Sequence, residues 1–287
     1  MMVQLQNDKL SVAISEKGAE LQSLRLHNTE YVWQADAAFW SKHSPVLFPI
    51  IGELKDGIYI FNNKEYKLSR HGFARDKTFT VTASASGKAV FSLKSDESTW
   101  ALYPFPFIFN VIYEINDASL SCTYQVINTG DGDMYFSAGG HPAFKVPLND
   151  KLQYTDYFLS FNNDNVLNRY VLHQGLTGDD TEKITLNDKT LPLKPSLFYG
   201  DAIVLKNIGS DQIKLFSDKD AHGLTFSFKA FPYFGIWAAR DAPFVCLEPW
   251  CGIADNIHHN HQLTAKEGIN KLAAGKEWKR TWSVELF

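Results

Sequence analysis

Cysteine is scarce: Cys122, Cys246 and Cys251 are the only three in 287 residues. An odd number without a Cys-x-x-Cys pair excludes a complete disulfide framework and matches no recognisable zinc spacing, so the three are expected to be reduced core residues. Long apolar runs are also missing. None approaches the ~18 residues of a membrane span, which excludes a transmembrane helix as partner to a lipid bilayer. The opening Met1-Met2-Val3-Gln4-Leu5-Gln6-Asn7-Asp8 has neither the basic start nor the apolar stretch of a secretory signal, and a cytoplasmic location is expected. No block of lysine or arginine stands out against a net charge of -4, so the chain lacks the electrostatic footprint of a nucleic-acid binder. Neutral or mildly anionic small molecules remain as ligands. Helical signals are few. Asp96 to Leu102 predicts one short helix with an acidic start, ending before Pro104, and Asp36 to Lys42 predicts a further turn.

Period-two alternation is abundant, in a chain that is 45% hydrophobic and 14% aromatic and so has ample material for a core. Thr78 to Ala83 and Ala89 to Lys94 read as a hairpin with a five-residue loop, Ser84 to Lys88. A second hairpin joins Val111 to Ile115 with Leu120 to Val126 across Asn116 to Ser119, and the turn cluster Asn128-Thr129-Gly130-Asp131-Gly132-Asp133 ends it. Leu10 to Ser15, Tyr59 to Phe61, Leu224 to Phe228 and Trp282 to Leu286 are further strands. Many short strands with turn signals between them predict an all-β fold, a large antiparallel β-sandwich. No repeat, low-complexity segment or shift of composition divides the chain, so residues 1–287 are expected to form one domain.

Three segments carry ionisable groups among glycine, proline and aromatic residues: Arg70-His71-Gly72-Phe73-Ala74-Arg75, Gly139-Gly140-His141-Pro142-Ala143-Phe144 and Cys246-Leu247-Glu248-Pro249-Trp250. Such company fits strand ends at the mouth of an apolar, partly polar-lined pocket. Glu248 has apolar neighbours on both sides, so its carboxylate is either paired or raised in pKa by desolvation; a structural glutamate at a strand end is the alternative. His141 follows two glycines and precedes a proline, which argues against regular sheet. It reads either as a proton donor or as a loop histidine satisfied by a carbonyl. Arg70 and Arg75 bracket His71, and their forks suit hydroxyls, carboxylates or phosphates. Two imidazoles and a carboxylate move protons near neutral pH, which favours proton-transfer chemistry on a small polar substrate.

Together the three segments resemble the aldose 1-epimerase (galactose mutarotase-like) family, and within it the branch with His-Gly-Phe-Ala-Arg, which includes the lactose-operon X-type proteins and the hexose-6-phosphate 1-epimerases. The resemblance starts at Gly18-Ala19-Glu20-Leu21-Gln22-Ser23-Leu24, runs through Pro45-Val46-Leu47-Phe48-Pro49 and the three segments, and reaches Gly268-Ile269. It implies a twisted supersandwich with a sugar in a cleft on one sheet, and neither a metal nor an organic cofactor for the chemistry. By motif match, His141 is then the general acid, Glu248 the general base and His71 a substrate-positioning residue. Asp201, in Tyr199-Gly200-Asp201-Ala202, is implied to bind sugar hydroxyls. His71 and Arg75 are expected to hold ring and charge, with Arg70 a further substrate-binding residue. Trp250, Trp237 and Phe144 are candidates to stack on the sugar, two of the three being expected to serve as core instead.

One departure bears on specificity. The hexose-6-phosphate branch commonly carries Arg-Gly-Gly-Ile before the proline matching Pro45, where this chain has Ser41-Lys42-His43-Ser44. Lys42 offers a point charge but no bidentate fork, so a free or otherwise modified sugar ranks ahead of a phosphorylated one. Three histidines lie close together in Asn256-Ile257-His258-His259-Asn260-His261. A strand would send His258 and His259 to opposite faces, so a solvated loop at the cleft rim is expected there rather than a metal site. The sequence therefore predicts an enzyme interconverting α and β anomers of an aldohexose. A hexose-6-phosphate 1-epimerase and a non-catalytic carbohydrate-binding or sensing protein are the rivals.

Overall fold

Alternation of buried and partly exposed residues along Ser119–Asn128 puts Leu120, Cys122, Tyr124 and Val126 on one face. Its partner Phe107–Asn116 places Tyr113, Val111 and Phe109 opposite Cys122, Tyr124 and Val126, so the two strands present a single apolar surface. This pair lies within a nine-stranded antiparallel sheet. A second antiparallel sheet of eight strands faces it, and the computed structural model, which describes residues 1–287, is 52% strand and 7% helix. Phe226 of the first sheet meets Phe144 and Phe234 of the second, with ring centroids 5.9 and 6.1 Å apart. Phe48 likewise stacks on Phe109 at 4.4 Å. Alternate residues from both sheets thus interdigitate as an all-β sandwich requires. The N-terminal strands Met2–Gln6, Leu10–Ser15, Glu20–Leu26 and Thr29–Glu30 form a separate four-stranded sheet.

The expected strand Leu10–Ser15 is present with the same ends, those expected at Tyr59–Phe61 and Trp282–Leu286 lie within longer ones, and Leu224–Phe228 overlaps Asp220–Ser227, which leaves Phe228 outside. The first hairpin differs from expectation. Its strands are Thr80–Ala85 and Lys88–Lys94, and the register closes at Ala85 opposite Lys88, leaving a two-residue turn, Ser86-Gly87, in place of five. Small residues around one glycine hid the strand ends. The helix is shorter than expected, Glu97–Trp100, where Asp96 caps the Thr99 N–H and Thr99 returns a bond to the Asp96 N–H.

Within the eight-stranded sheet, Phe244–Cys251 is buried at all eight positions. It lies between Tyr233–Trp237 on one side and two short strands, Ala138–Gly140 and Ala143–Lys145, on the other. Strand geometry sends its odd-numbered residues to one face and its even-numbered ones to the other. Val245 and Leu247 join the core, and Glu248 and Trp250 line a cavity on the opposite face.

Candidate active site

The two glycine-flanked strands explain how the central groups meet. Ala138–Gly140 and Ala143–Lys145 pair with the same strand in one continuous register, Gly139 opposite Trp250 and Ala143 opposite Cys246. Carried through the gap, that register sets His141 opposite Glu248. Pro142 has no N–H for a ladder, so the strand lapses there, and the Leu247 N–H bonds the Pro142 carbonyl. Facing residues have neighbouring side chains, and His141 Nε2 stands 3.3 Å from Glu248 Oε2. Glu248 lies in mid-strand, not at the strand end expected from its flanks.

His71 approaches from a loop. Its backbone is left-handed (φ 66°), and the following Gly72 (φ 73°) passes so close to Phe48 that an added Cβ would sit 2.3 Å from the carbonyl oxygen. Only glycine fits there. Gly52 fixes the imidazole: the His71 N–H donates to the Gly52 carbonyl, and the Gly52 N–H donates to His71 Nδ1 at 3.1 Å. An accepting Nδ1 leaves the proton of the neutral ring on Nε2, so His71 is a hydrogen-bond donor at its other end. Burial holds its pKa well below the ordinary value, and the neighbouring His141, Arg75 and Arg70 add to the effect.

A cavity of about 190 Å³ gathers His71, His141, Glu248, Asp201, Arg70, Arg75 and Trp250. All seven side chains singled out from the sequence therefore line one space. Trp237 lines it too, whereas Phe144 is fully buried against Phe226 and belongs to the core. One of the three aromatic candidates is thus core, not two. Trp40 and Lys42 also border the cavity, and sequence reasoning passed over Trp40. Its ring stacks on His141 at 5.0 Å, with Trp237 edge-on to the same imidazole at 5.6 Å. Trp250 owes its position to Gly235, whose missing Cβ would lie 2.5 Å from the indole.

Burial governs the protons here. It pushes the Glu248 carboxyl well above the usual carboxylate range, although the Arg70 charge pulls the other way. The same burial lowers His141 to about 3, with Arg75 and Arg70 acting in the same direction. These opposite shifts favour the neutral pair, a protonated carboxyl facing a neutral imidazole. Glu248 Oε2 and Trp250 Nε1 are buried without hydrogen-bond partners. Arg70 pairs with Glu53 at 3.2 Å, and Arg75 bonds the Arg70 carbonyl at 2.8 Å and lies 3.8 Å from Asp76. Asp201 has an unusual φ of 150°, held by its carboxylate on the Ala202 N–H and by Arg169 on its carbonyl.

The histidine cluster does not converge. His258, His259 and His261 face three different aspartates, Asp179, Asp255 and Asp56, and none lines the cavity. His259 is buried, which corrects the expectation of a wholly solvated loop. All three cysteines are free and buried.

The sequence profile of the family described as aldose 1-epimerase matches residues 1–284. The chain belongs to the aldose 1-epimerase family. It is 31% identical to the plasmid-encoded protein LacX of Lactococcus lactis subsp. lactis, over 100% of this chain and 99% of that one. Among solved structures it is similar to a galactose mutarotase related enzyme from Lactobacillus acidophilus, with a TM-score of 0.96, 33% identity and coverage of 100% and 97% of the two chains. A galactose mutarotase-like protein from Lactobacillus casei follows at a TM-score of 0.91 and 32% identity, each chain fully covered. Membership makes this chain an isomerase-type carbohydrate epimerase of the galactose mutarotase-like fold. No helix is long and apolar enough to cross a membrane.

Proposed function

We propose that this aldose 1-epimerase family member is a mutarotase for a free aldohexose, in which Glu248 and His141 exchange protons with the anomeric hydroxyl and the ring oxygen. The observation that carries the reading is the cross-strand contact of these two groups, 3.3 Å apart in a cavity of about 190 Å³. That volume falls below the ~300 Å³ at which drug-sized sites begin, and it suits one monosaccharide.

Ring opening removes the proton from O1 while O5 gains one, the C1–O5 bond breaks and an aldehyde forms. The reactive arrangement has Glu248 as carboxylate and His141 as imidazolium. Moving the resting proton from carboxyl to imidazole across their contact creates it without change of net charge. Glu248 then takes the O1 proton and His141 donates to O5. Rotation about C1–C2 presents the other face of the aldehyde, and closure reverses the roles. Matched donors and acceptors of this kind contribute ~10²- to 10⁴-fold each. His71, a fixed neutral donor, and Asp201 hold hydroxyls, and Arg70 and Arg75 border the ring. Trp250 and Trp237 offer flat surfaces to its apolar face.

Lys42 beside Arg70 and Arg75 favours a second reading, a hexose-6-phosphate 1-epimerase. Glu53 and Asp76 already face those cations, at 3.2 Å from Arg70, 3.8 Å from Arg75 and 4.0 Å from Lys42, which leaves less of their charge for a phosphate. A non-catalytic sugar binder would have no use for a buried acid–base pair without hydrogen-bond partners at Glu248 Oε2. Anomer exchange measured by NMR on galactose and glucose tests the reading. Acceleration by the purified protein is expected, and its absence for every sugar in the presence of demonstrable binding would leave the sensing role.

A further inference from the structure

Cys246 takes no part in the epimerase chemistry, yet it lies two positions before Glu248 on the same face of the strand. Its sulfur, one nitrogen of His141 and one carboxylate oxygen of Glu248 all lie within 4.8 Å of one another. We propose that these three side chains form a binding site for a thiophilic divalent transition metal, zinc above all, and that the ion shuts the enzyme down by occupying its acid–base pair.

The geometry of the pair fits a tetrahedral ion. Nitrogen and oxygen ligands at about 2.0–2.1 Å from zinc stand about 3.3 Å apart, which is the separation of His141 Nε2 and Glu248 Oε2. A thiolate bound at ~2.3 Å would lie ~3.6 Å from either, so from a separation of 4.8 Å or less the sulfur closes in by at most about 1.2 Å, within the reach of a side-chain rotation. Cleft water or a sugar hydroxyl fills the fourth position. Charge favours the exchange as well. The thiol gives up its proton, the pair gives up the one it shares, and a dication enters against one thiolate, one carboxylate and one neutral imidazole. Two protons leave, two charges arrive, and the buried cluster stays neutral, which avoids the cost of an uncompensated buried charge. Glu248 Oε2 is 98% or more buried with its side chain and has no hydrogen-bond partner to surrender. The ligands come from separate segments of sequence, which is why cysteine spacing along the chain gives no sign of them.

Binding is independent of the mutarotase reading, which enters only through the inhibition. Zinc titrated into the metal-free protein should bind one ion per chain by calorimetry, and cobalt in its place should show a thiolate-to-cobalt charge-transfer band. Cys246→Ala should abolish the band and weaken zinc at least a hundredfold. It should retain anomer exchange that zinc no longer suppresses and chelator no longer restores. Should that variant fold poorly, Glu248→Gln, which keeps the thiol, should weaken zinc tenfold or more. The proposal is overturned if no stoichiometric site is found, if cobalt shows no thiolate band, or if Cys246→Ala binds zinc as well as the parent. The last result would place the ion elsewhere. Unchanged zinc affinity in Glu248→Gln would also overturn it.

Discussion

Glu248 and Asp255 are both 1% exposed and both have a basic partner, yet their surroundings differ in kind. Asp255 is saturated. Its carboxylate accepts from Lys266 Nζ at 2.7 Å and from the Lys55 N–H at 2.9 Å, and its carbonyl accepts from the Thr177 N–H and hydroxyl. Lys266 is as buried as its partner, and burial lowers its pKa against the pull of Asp255. Glu248 meets His141 at 3.3 Å without an aligned hydrogen bond, and its Oε2 has no donor. Placed just behind Ala254 and bonded through its N–H to the Glu53 carbonyl, Asp255 braces the wall of the cleft. Complete hydrogen bonding fits a buried charge that holds structure, as at Asp255, whereas Glu248 Oε2 stands beside the cavity without a partner.

Five substitutions and measurements bear on that contrast, the largest effect first. Glu248→Gln keeps hydrogen bonding but not basicity, so kcat should fall by about 10²- to 10⁴-fold while sugar affinity stays within about tenfold. NMR anomer exchange with parallel binding measurements checks this, and near-parental turnover removes Glu248 from the chemistry. Asp255→Asn should act on the fold, because it strands the Lys266 charge; a loss of about 3–5 kcal/mol is expected in denaturant unfolding. If that variant were as stable as the parent, the two sites would not differ as described.

Linkage separates the sites again. A carboxyl raised in the folded state destabilises increasingly as pH climbs above its unfolded value, because the unfolded chain then gives up its proton more readily than the native one. Glu248→Gln should therefore melt no lower than the parent at pH 8, and any advantage should vanish by pH 4. A lower melting temperature at pH 8 would show that the ionised carboxylate is stabilised by contacts that offset its burial.

The pH dependence of kcat/KM gives a further test. In the proposed mechanism the singly protonated pair is the competent one. It gains a second proton only as pH falls through the lowered value of His141, about 3, and loses its proton only as pH rises through the raised value of Glu248. On its acid side the profile should show no inflection at the ordinary histidine value near 6.5. An inflection there would place His141 in a wetter setting than its burial indicates. The smallest effect concerns phosphate. Because Glu53 and Asp76 face the cations, phosphorylation at O6 should raise kcat/KM less than about tenfold, or ~1.4 kcal/mol. A hundredfold gain, lost in Arg75→Ala, would make the phosphate ester the substrate.

The sandwich was legible because period-two alternation reports directly on burial, as Ser119–Asn128 shows residue by residue. Loop lengths were less so. Around Ser86-Gly87 several small residues fit either strand or turn, and cross-strand register decides between them. Phe244–Cys251 gave no alternation at all, since one face packs into the core and the other is enclosed by the cleft. The three site segments stood out through glycine, proline and aromatic company. Trp40 did not, because the stretch around it has no periodic pattern and its role comes from stacking on a histidine about a hundred positions away. The closest available signal was its place just ahead of Ser41 to Ser44, where the chain departs from the phosphate branch. Cys246 was invisible as a ligand for the same reason. Its neighbours in space are set by strand pairing.

That pairing has a consequence for how the enzyme comes into being. The proposed acid and base occupy opposed rungs of one ladder, His141 on a strand broken by Pro142 and Glu248 on its continuous partner. A slip of a single residue in either would turn one of the two groups to the far side of the sheet. Catalytic competence is therefore decided when these strands zip together, and no later adjustment of side chains can supply it. A chain with one residue inserted between Gly140 and His141, or deleted there, should lose anomer exchange even where the sandwich still folds.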